Sequence, residues 1–344
     1  MDNPRASAWW QLFKRPALIL GALALTLTLA LAACSDDDEE DTGSDTSATA
    51  TPKLSGNING DGSSTVFPIL EAVAEEFGKE NTGVKVTVGI AGTGGGFAKF
   101  CAGETDFSNA SRPIKDSEAQ ACADKGITYV ELQIGYDGIA NVVNESNTFA
   151  TCLTVAQLNA IWMPESTVTN WNQVDSSFPS QQLEGSDLYG PGTDSGTFDF
   201  FTEQINGTQD SSRSDYNASE DDNVLVQGVA GDDNALGYFG FAYYEENADK
   251  LNVLAVDNGE GCVEPTKDTI LDGSYAPLSR PLYVYAATSA LERPEVAALM
   301  RYILTDGRGL VDEVGYVTAP DDVYEEGLAK ITVSPGGSTA TPAP

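Results

Sequence analysis

An α/β fold in two lobes is predicted by three observations. Segments with strand periodicity and segments with helix periodicity alternate along the chain. The connections between them are rich in Gly, Ser and Thr, the composition of loops at strand ends where α/β proteins place ligands. Finally, 344 residues are enough for two hydrophobic cores rather than one.

The elements follow in order. Ile69, Leu70, Val73 and Phe77 recur at helical spacing, with Pro68 suited to a first turn and Gly83 to a stop. Val84, Val86, Val88 and Ile90 then alternate, which predicts a strand with those four side chains on one face. The run Gly92-Thr93-Gly94-Gly95-Gly96 breaks the chain before a helix expected to begin at Phe97, and "TDFSNASRPI" reads as a strand entering a turn. Further on, Ser195-Gly196-Thr197 precedes a helix with Phe198, Phe201 and Ile205 on one face.

Both ends differ from this middle. Residues 1–33 read as an export signal: Arg5, Lys14 and Arg15 flank an uncharged Ala/Leu run from Ala17 to Ala33. That run ends in Leu31-Ala32-Ala33-Cys34, which resembles a bacterial lipobox and makes Cys34 the expected site of lipid attachment. Residues 34–55 are acidic, with one leucine and no aromatic residue, and are expected to form a flexible tether. The Pro- and Gly-rich tail, 334–344, is expected to be disordered.

Charge and residue types narrow the function. Eighteen Lys and Arg stand against 52 Asp and Glu, which excludes the basic face a nucleic acid would need. No histidine is present, removing His-based triads and His-ligated metals. Export permits disulfides, and Cys101, Cys122, Cys152 and Cys262 allow three pairings. The favoured one joins Cys101 to Cys122 as a local staple and Cys152 to Cys262. No CxxC spacing occurs, so neither a metal nor a redox cofactor is expected.

Two stretches, Asp41-Thr42-Gly43-Ser44 and Asp194-Ser195-Gly196-Thr197, spell nearly the same word, and an aspartic protease needs two such copies. Its two carboxyls must be fixed about 3 Å apart. Asp41 belongs to the expected tether and cannot be so held. An anion cradle is the better reading. Gly62-Ser63-Ser64-Thr65, Gly92-Thr93-Gly94 and Ser195-Gly196-Thr197 each place small hydroxyl or glycine residues before a helix. Helix starts leave amide N–H groups free and carry partial positive charge. Each alone is more simply an N-cap; three together argue for a shared oxyanion.

At these residues the chain resembles the PstS-type phosphate-binding lipoproteins of bacterial ABC importers. The likeness rests on "GDGSSTVFPI", "AGTGGGFAKFCAGETDFSNASRPIK" and "GPGTDSGTFDFF", with "LTVAQLNAIW" and "SRPLYVY" as connecting segments, and covers about Ile58 to Ile331. The resemblance implies a two-lobed periplasmic-binding-protein fold with mixed sheets and a two-pass hinge. Lobe 1 would comprise 56–138 and 281–333, and lobe 2 residues 139–280. It further implies a receptor, not an enzyme, that captures inorganic phosphate and delivers it to ABC permease subunits. The protein would be held by its lipid on the outer face of the cytoplasmic membrane or in the periplasm. Ser64, Thr65, Thr93, Gly94, Ser195, Gly196 and Thr197 would contact phosphate.

Two departures rearrange the charges. Arg112 stands where better-known members have an Asp, and Pro191 where they have an Arg four residues before Ser-Gly-Thr. Arg112 is therefore expected to offer a bidentate fork to the ligand, the alternative being a pair with an acid such as Asp106. Asp194 is the favoured acceptor of the phosphate proton, with Asp199 as rival. Other readings are a receptor for sulfate, molybdate or arsenate, and a hydrolase using Asp194 and Ser195. The excess of acid does not forbid an anion, because charges beyond about 8 Å are screened while aligned donors act at contact.

Overall fold

Gly60 has no room for a side chain because the Phe107 ring packs where one would stand, and Phe107 belongs to the first hydrophobic core. The computed structural model describes residues 53–332, all within one unit spanning Pro52–Pro344. The expected export signal, Cys34, most of the expected tether and the 334–344 tail lie outside the described residues.

The first core is built from β1 (Ser55–Gly62), α1 (Phe67–Glu80), β2 (Gly83–Gly89), α2 (Gly92–Cys101), β3 (Phe107–Ala110) and α3 (Asp116–Asp124). β1 pairs in parallel with β2 on one side and β3 on the other. α1 buries Ile69, Leu70, Val73 and Phe77 against this sheet, the helical stripe expected from sequence. β4 (Tyr129–Asn144) then runs out of the first core and into the second.

The second core contains β5 (Cys152–Thr154), α4 (Val155–Trp162), α5 (Trp171–Val174), β6 (Leu188–Gly190), α6 (Gly196–Asn206), β7 (Asn217–Ala218), α7 (Asp222–Gly231) and β8 (Leu236–Gly240). After these come α8 (Phe241–Glu246), β9 (Leu251–Asp257), β10 (Cys262–Val263) and α9 (Lys267–Leu271). β11 (Ser279–Ala287) returns to the first core, followed by α10 (Pro294–Leu304), α11 (Leu310–Glu313) and α12 (Asp321–Thr332).

One mixed sheet threads both halves, in the order β2-β1-β3-β11-β4-β8-β6-β7. β4 is the shared strand: Tyr129 to Gly138 pair with β11, whereas Ile139 to Asn144 pair with β8 and β9. The buried apolar residues divide accordingly. One cluster draws on residues from Ile58 to Ile134 and from Leu282 to Ile331. The others draw on residues from Ile139 to Leu278, joined by Val317. The chain thus crosses between cores at β4 and again just ahead of β11, and Val317 clasps the first crossing through backbone bonds with Tyr136.

Two disulfides form, Cys101–Cys122 between α2 and α3 and Cys152–Cys262 between β5 and β10.

Three sequence expectations need correction. The chain is already β-strand from Ser55, at the edge of the expected tether; β1 reads "SGNINGDG", and only Ile58 in it carries the apolar signature of a central strand. α2 begins at Gly92, not Phe97, because glycine is needed inside it for close approach. A Cβ on Gly96 would lie 2.5 Å from the Gly62 Cα and 2.8 Å from the Asp61 carbonyl oxygen. Ile90, expected in the strand on one face with Val84, Val86 and Val88, lies just past the end of β2 and is 57% exposed.

Candidate functional site

The loop ends of the first core and the start of α6 in the second face each other across a cavity of about 640 Å³. Ser63, Ser64 and Thr65 enter it from the turn ahead of α1, and Ala91, Gly92, Thr93 and Gly94 from the start of α2. Ser111, Arg112 and Lys115 follow β3, and Ser279 and Arg280 open β11. From α6 come Asp199, Phe200, Glu203 and Gln204, whose i, i+4 spacing places them on one face. The other face of that helix, with Phe198, Phe201 and Ile205, packs into the core.

Arg280 is the centre of the site. Its Nε donates to Asp137 Oδ2 at 3.1 Å, one terminal nitrogen to Ser111 Oγ at 3.1 Å, and the other to Thr65 Oγ1 at 2.7 Å. That second nitrogen also reaches the Gly196 carbonyl oxygen at 3.3 Å. The guanidinium stacks over the Phe200 ring, 3.6 Å from its centroid. Asp137 is 1% exposed as a side chain and Arg280 12%. Burial pushes the Asp137 carboxyl up, and the Arg280 guanidinium opposes this. A buried Arg–carboxylate pair of this kind is held for placement more than for net stability. Here it fixes a cation between the two cores.

Sequence reasoning missed Arg280 and Asp137. A signal existed: an Arg-Pro step inside an apolar strand segment, and an acid inside "IGYDGIA". Neither is local to a glycine-rich loop, so a search for cradles passes over both.

Direct contacts already bridge the cores. Thr65 Oγ1 donates to the Gly196 carbonyl at 3.1 Å, and Ser64 Oγ to Asp199 Oδ2 at 2.8 Å. Within the first core, the Thr93 and Ser111 hydroxyls lie 3.2 Å apart, and Ser111 N–H donates to Thr93 Oγ1.

Of the residues singled out from sequence, Ser64, Thr65, Thr93, Gly94 and Arg112 line the cavity. Arg112 carries a partner that sequence reasoning did not name. Its two terminal nitrogens each donate to a Glu118 oxygen at 2.8 Å, and that hydrogen bonding raises its pKa further. Asp106, the acid weighed as its partner, pairs with Arg293 instead.

Asp194, Ser195, Gly196 and Thr197 are not among the lining residues. Asp194 is exposed, and its N–H donates to Glu220. Ser195 caps α6, its hydroxyl accepting the Thr197 N–H at 3.2 Å. Gly196 reaches the site through its carbonyl. Asp199, the rival acceptor, does line the cavity, together with Glu203.

The comparisons with known proteins can be set beside this geometry. A PBP superfamily domain model matches residues 47–307. The chain belongs to the PBP superfamily, among PstS-type proteins. Protein SphX of Synechococcus elongatus is 49% identical over 270 residues, covering 78% of this chain and 79% of that protein. Phosphate-binding protein PstS of Staphylococcus saprophyticus is 43% identical over 281 residues, covering 81% of this chain and 85% of the relative. Among solved structures, a possible phosphate-binding protein from Planctomyces limnophilus is 50% identical. It superposes with a TM-score of 0.78, over 82% of this chain and 99% of its own. The fold of a PstS-type protein is therefore the frame in which the Arg280 knot sits. Among the described residues, no helix is long and apolar enough to cross a membrane.

Proposed function

We propose that this PstS-type protein captures inorganic phosphate between its two lobes, outside the cytoplasmic membrane, and delivers it to the permease of an ABC importer. The observation that carries the reading is the convergence on one cavity of the Thr65, Thr93 and Ser111 hydroxyls, the α2 start and the Arg280 guanidinium. The names of the relatives support it. Lobe 1, as 56–138 with 281–333, and lobe 2, as 139–280, are the bodies that close on the ligand. Cys34 carries the lipid that holds the protein at the membrane.

On binding, Thr65 exchanges the Gly196 carbonyl for a phosphate oxygen, and Arg280 supplies the cation. Arg112, braced by Glu118, forms part of the wall and lends charge. Gly94 and its neighbours present backbone N–H groups, and Ser64 stays with Asp199. Ser195, Gly196 and Thr197 act by setting the start of α6. Asp199, in place of Asp194, meets the proton that phosphate carries and sulfate lacks. Charge-assisted hydrogen bonds contribute about 1.5–3 kcal/mol each, so a few reach the roughly 8 kcal/mol of micromolar binding.

Calorimetric titration of the purified protein with phosphate and with sulfate tests this. Phosphate is expected to bind at micromolar concentration or below and sulfate at least about a hundredfold more weakly, a difference near 2.7 kcal/mol. Equal affinities would instead make it a general oxyanion receptor. The hydrolase reading lacks an activated nucleophile: among the described residues no base hydrogen-bonds the Ser195 hydroxyl.

A further inference from the structure

The Arg112 guanidinium lines the cavity, yet most of its hydrogen bonding is directed behind the wall. Each terminal nitrogen donates to one Glu118 oxygen at 2.8 Å, and Nη1 also donates to the Pro113 carbonyl at 3.0 Å. A bidentate fork of this kind is how an arginine would otherwise hold two phosphate oxygens. Here Glu118 already fills it. That carboxylate is fixed in turn, since its Oε2 accepts the Lys115 N–H at 2.9 Å where α3 begins. Its own carbonyl oxygen lies 3.4 Å from Cys101 Sγ, and the Cys101–Cys122 disulfide ties α3 to α2. Burial acts to raise the Glu118 carboxyl, but Arg112 and then the Lys115 N–H outweigh it and hold the group below its ordinary range. Glu118 is not among the lining residues. The pair nevertheless stands beside the start of α2: a Cβ on Gly94 would lie 3.8 Å from Glu118 Oε1 and 3.9 Å from Arg112 Nη2.

We propose that Glu118 is a positioning residue that withholds the Arg112 fork from bound phosphate, and so keeps affinity low enough for the ligand to be handed on. The proposal rests on the phosphate reading above. Arg112 remains in the wall with its charge largely offset by Glu118, and the ligand is left to the hydroxyls, the α2 amides and Arg280. A fork set free would add charge-assisted bonds to phosphate oxygens, which are roughly twice as strong as neutral ones. Release would slow, because affinity differences within one site lie mostly in the off-rate. A guanidinium donates and never accepts, so it does not read the proton that separates phosphate from sulfate. Both anions would gain alike.

The test is calorimetric titration of the native protein, of Glu118→Gln and of Glu118→Gln with Arg112→Met, using inorganic phosphate and sulfate. Glutamine keeps the shape of the side chain and an oxygen for the Lys115 N–H, but removes the charge that holds the fork. Glu118→Gln is expected to bind phosphate at least about fivefold more tightly, with a slower off-rate. The ratio of phosphate to sulfate affinity is expected to stay within about twofold of native. The double variant should lose the gain. A Glu118 that only braces the wall predicts the opposite sign, since loosening the wall weakens binding. Phosphate binding that is unchanged or weaker in Glu118→Gln therefore overturns the proposal, as does a gain confined to one anion or one that survives Arg112→Met. Each of these leaves the phosphate reading standing, whereas absence of phosphate binding by the native protein overturns that reading itself. Nitrogen-15 NMR of the native protein needs no variant: the Arg112 terminal N–H signals are expected to keep their positions and slow exchange when phosphate is added. Large shifts in them would show the ligand taking the fork from Glu118, and would end the proposal.

Discussion

Gly196 at the start of α6 and Thr65 ahead of α1 approach so closely that a Cβ on the glycine would lie 2.5 Å from the Cα, the amide nitrogen and Oγ1 of the threonine. No flexible side-chain end is there to yield, since two of those atoms are backbone. The two residues come from different halves of the fold, so their contact limits how near the start of α6 comes to the turn ahead of α1.

Gly196→Ala is therefore expected to act as a wedge. The methyl group holds the lobes apart, weakening phosphate binding at least about tenfold, which corresponds to 1.4 kcal/mol. Folding stability should change little, because each core keeps its packing. Titration calorimetry together with solution scattering checks this, with a larger radius of gyration expected for the variant. Affinity within twofold of the native protein would show that closure does not depend on this contact.

Arg280→Met tests the cation between the cores. It leaves Asp137 buried without a partner, a situation that costs about 3–5 kcal/mol, and it removes the guanidinium from Thr65 and Ser111. Urea unfolding should show the loss, and Asp137→Leu in the same chain should recover much of it. Phosphate affinity should not recover in the double variant. If it does, Arg280 is a structural partner of Asp137 and nothing more.

Asp222, at the start of α7, makes stability depend on pH. Burial and then the neighbouring Asp221 raise its carboxyl from 3.8 to about 7, against the Gly240 N–H. The folded protein keeps this proton up to that pH, whereas the unfolded chain releases it near 3.8. The contribution to stability is complete below 3.8 and is lost as pH rises to about 7. Asp222→Asn should then raise stability at pH 8.5 by about 1–3 kcal/mol, below the ceiling of about 4 set by 1.36 kcal/mol per unit because the group is partly exposed. At pH 4 the gain should vanish. Urea midpoints at the two pH values decide it, and an equal gain at both would assign the effect to something other than the proton.

The sequence by itself determined what is local. Helical spacing in "PILEAVAEEF" and "FDFFTEQI" sufficed for the cores of α1 and α6, since an apolar stripe at that period has one way to be buried. Hydroxyl and glycine runs marked Ser64, Thr65, Thr93 and Gly94 as cavity residues, because helix starts have a local grammar. Only the tertiary structure decided the rest. Arg280 and Asp137 are 143 residues apart in the chain and meet because β11 and β4 pair at the crossing between cores. Asp199 lines the cavity and Asp194 does not, because helical rotation aims residue 199, with Phe200, Glu203 and Gln204, into it and leaves residue 194 on an exposed loop. Arg112 turned to Glu118 because α3 begins beside it. Side-chain direction and long-range strand pairing are properties of packing, and no window of neighbouring residues contains them.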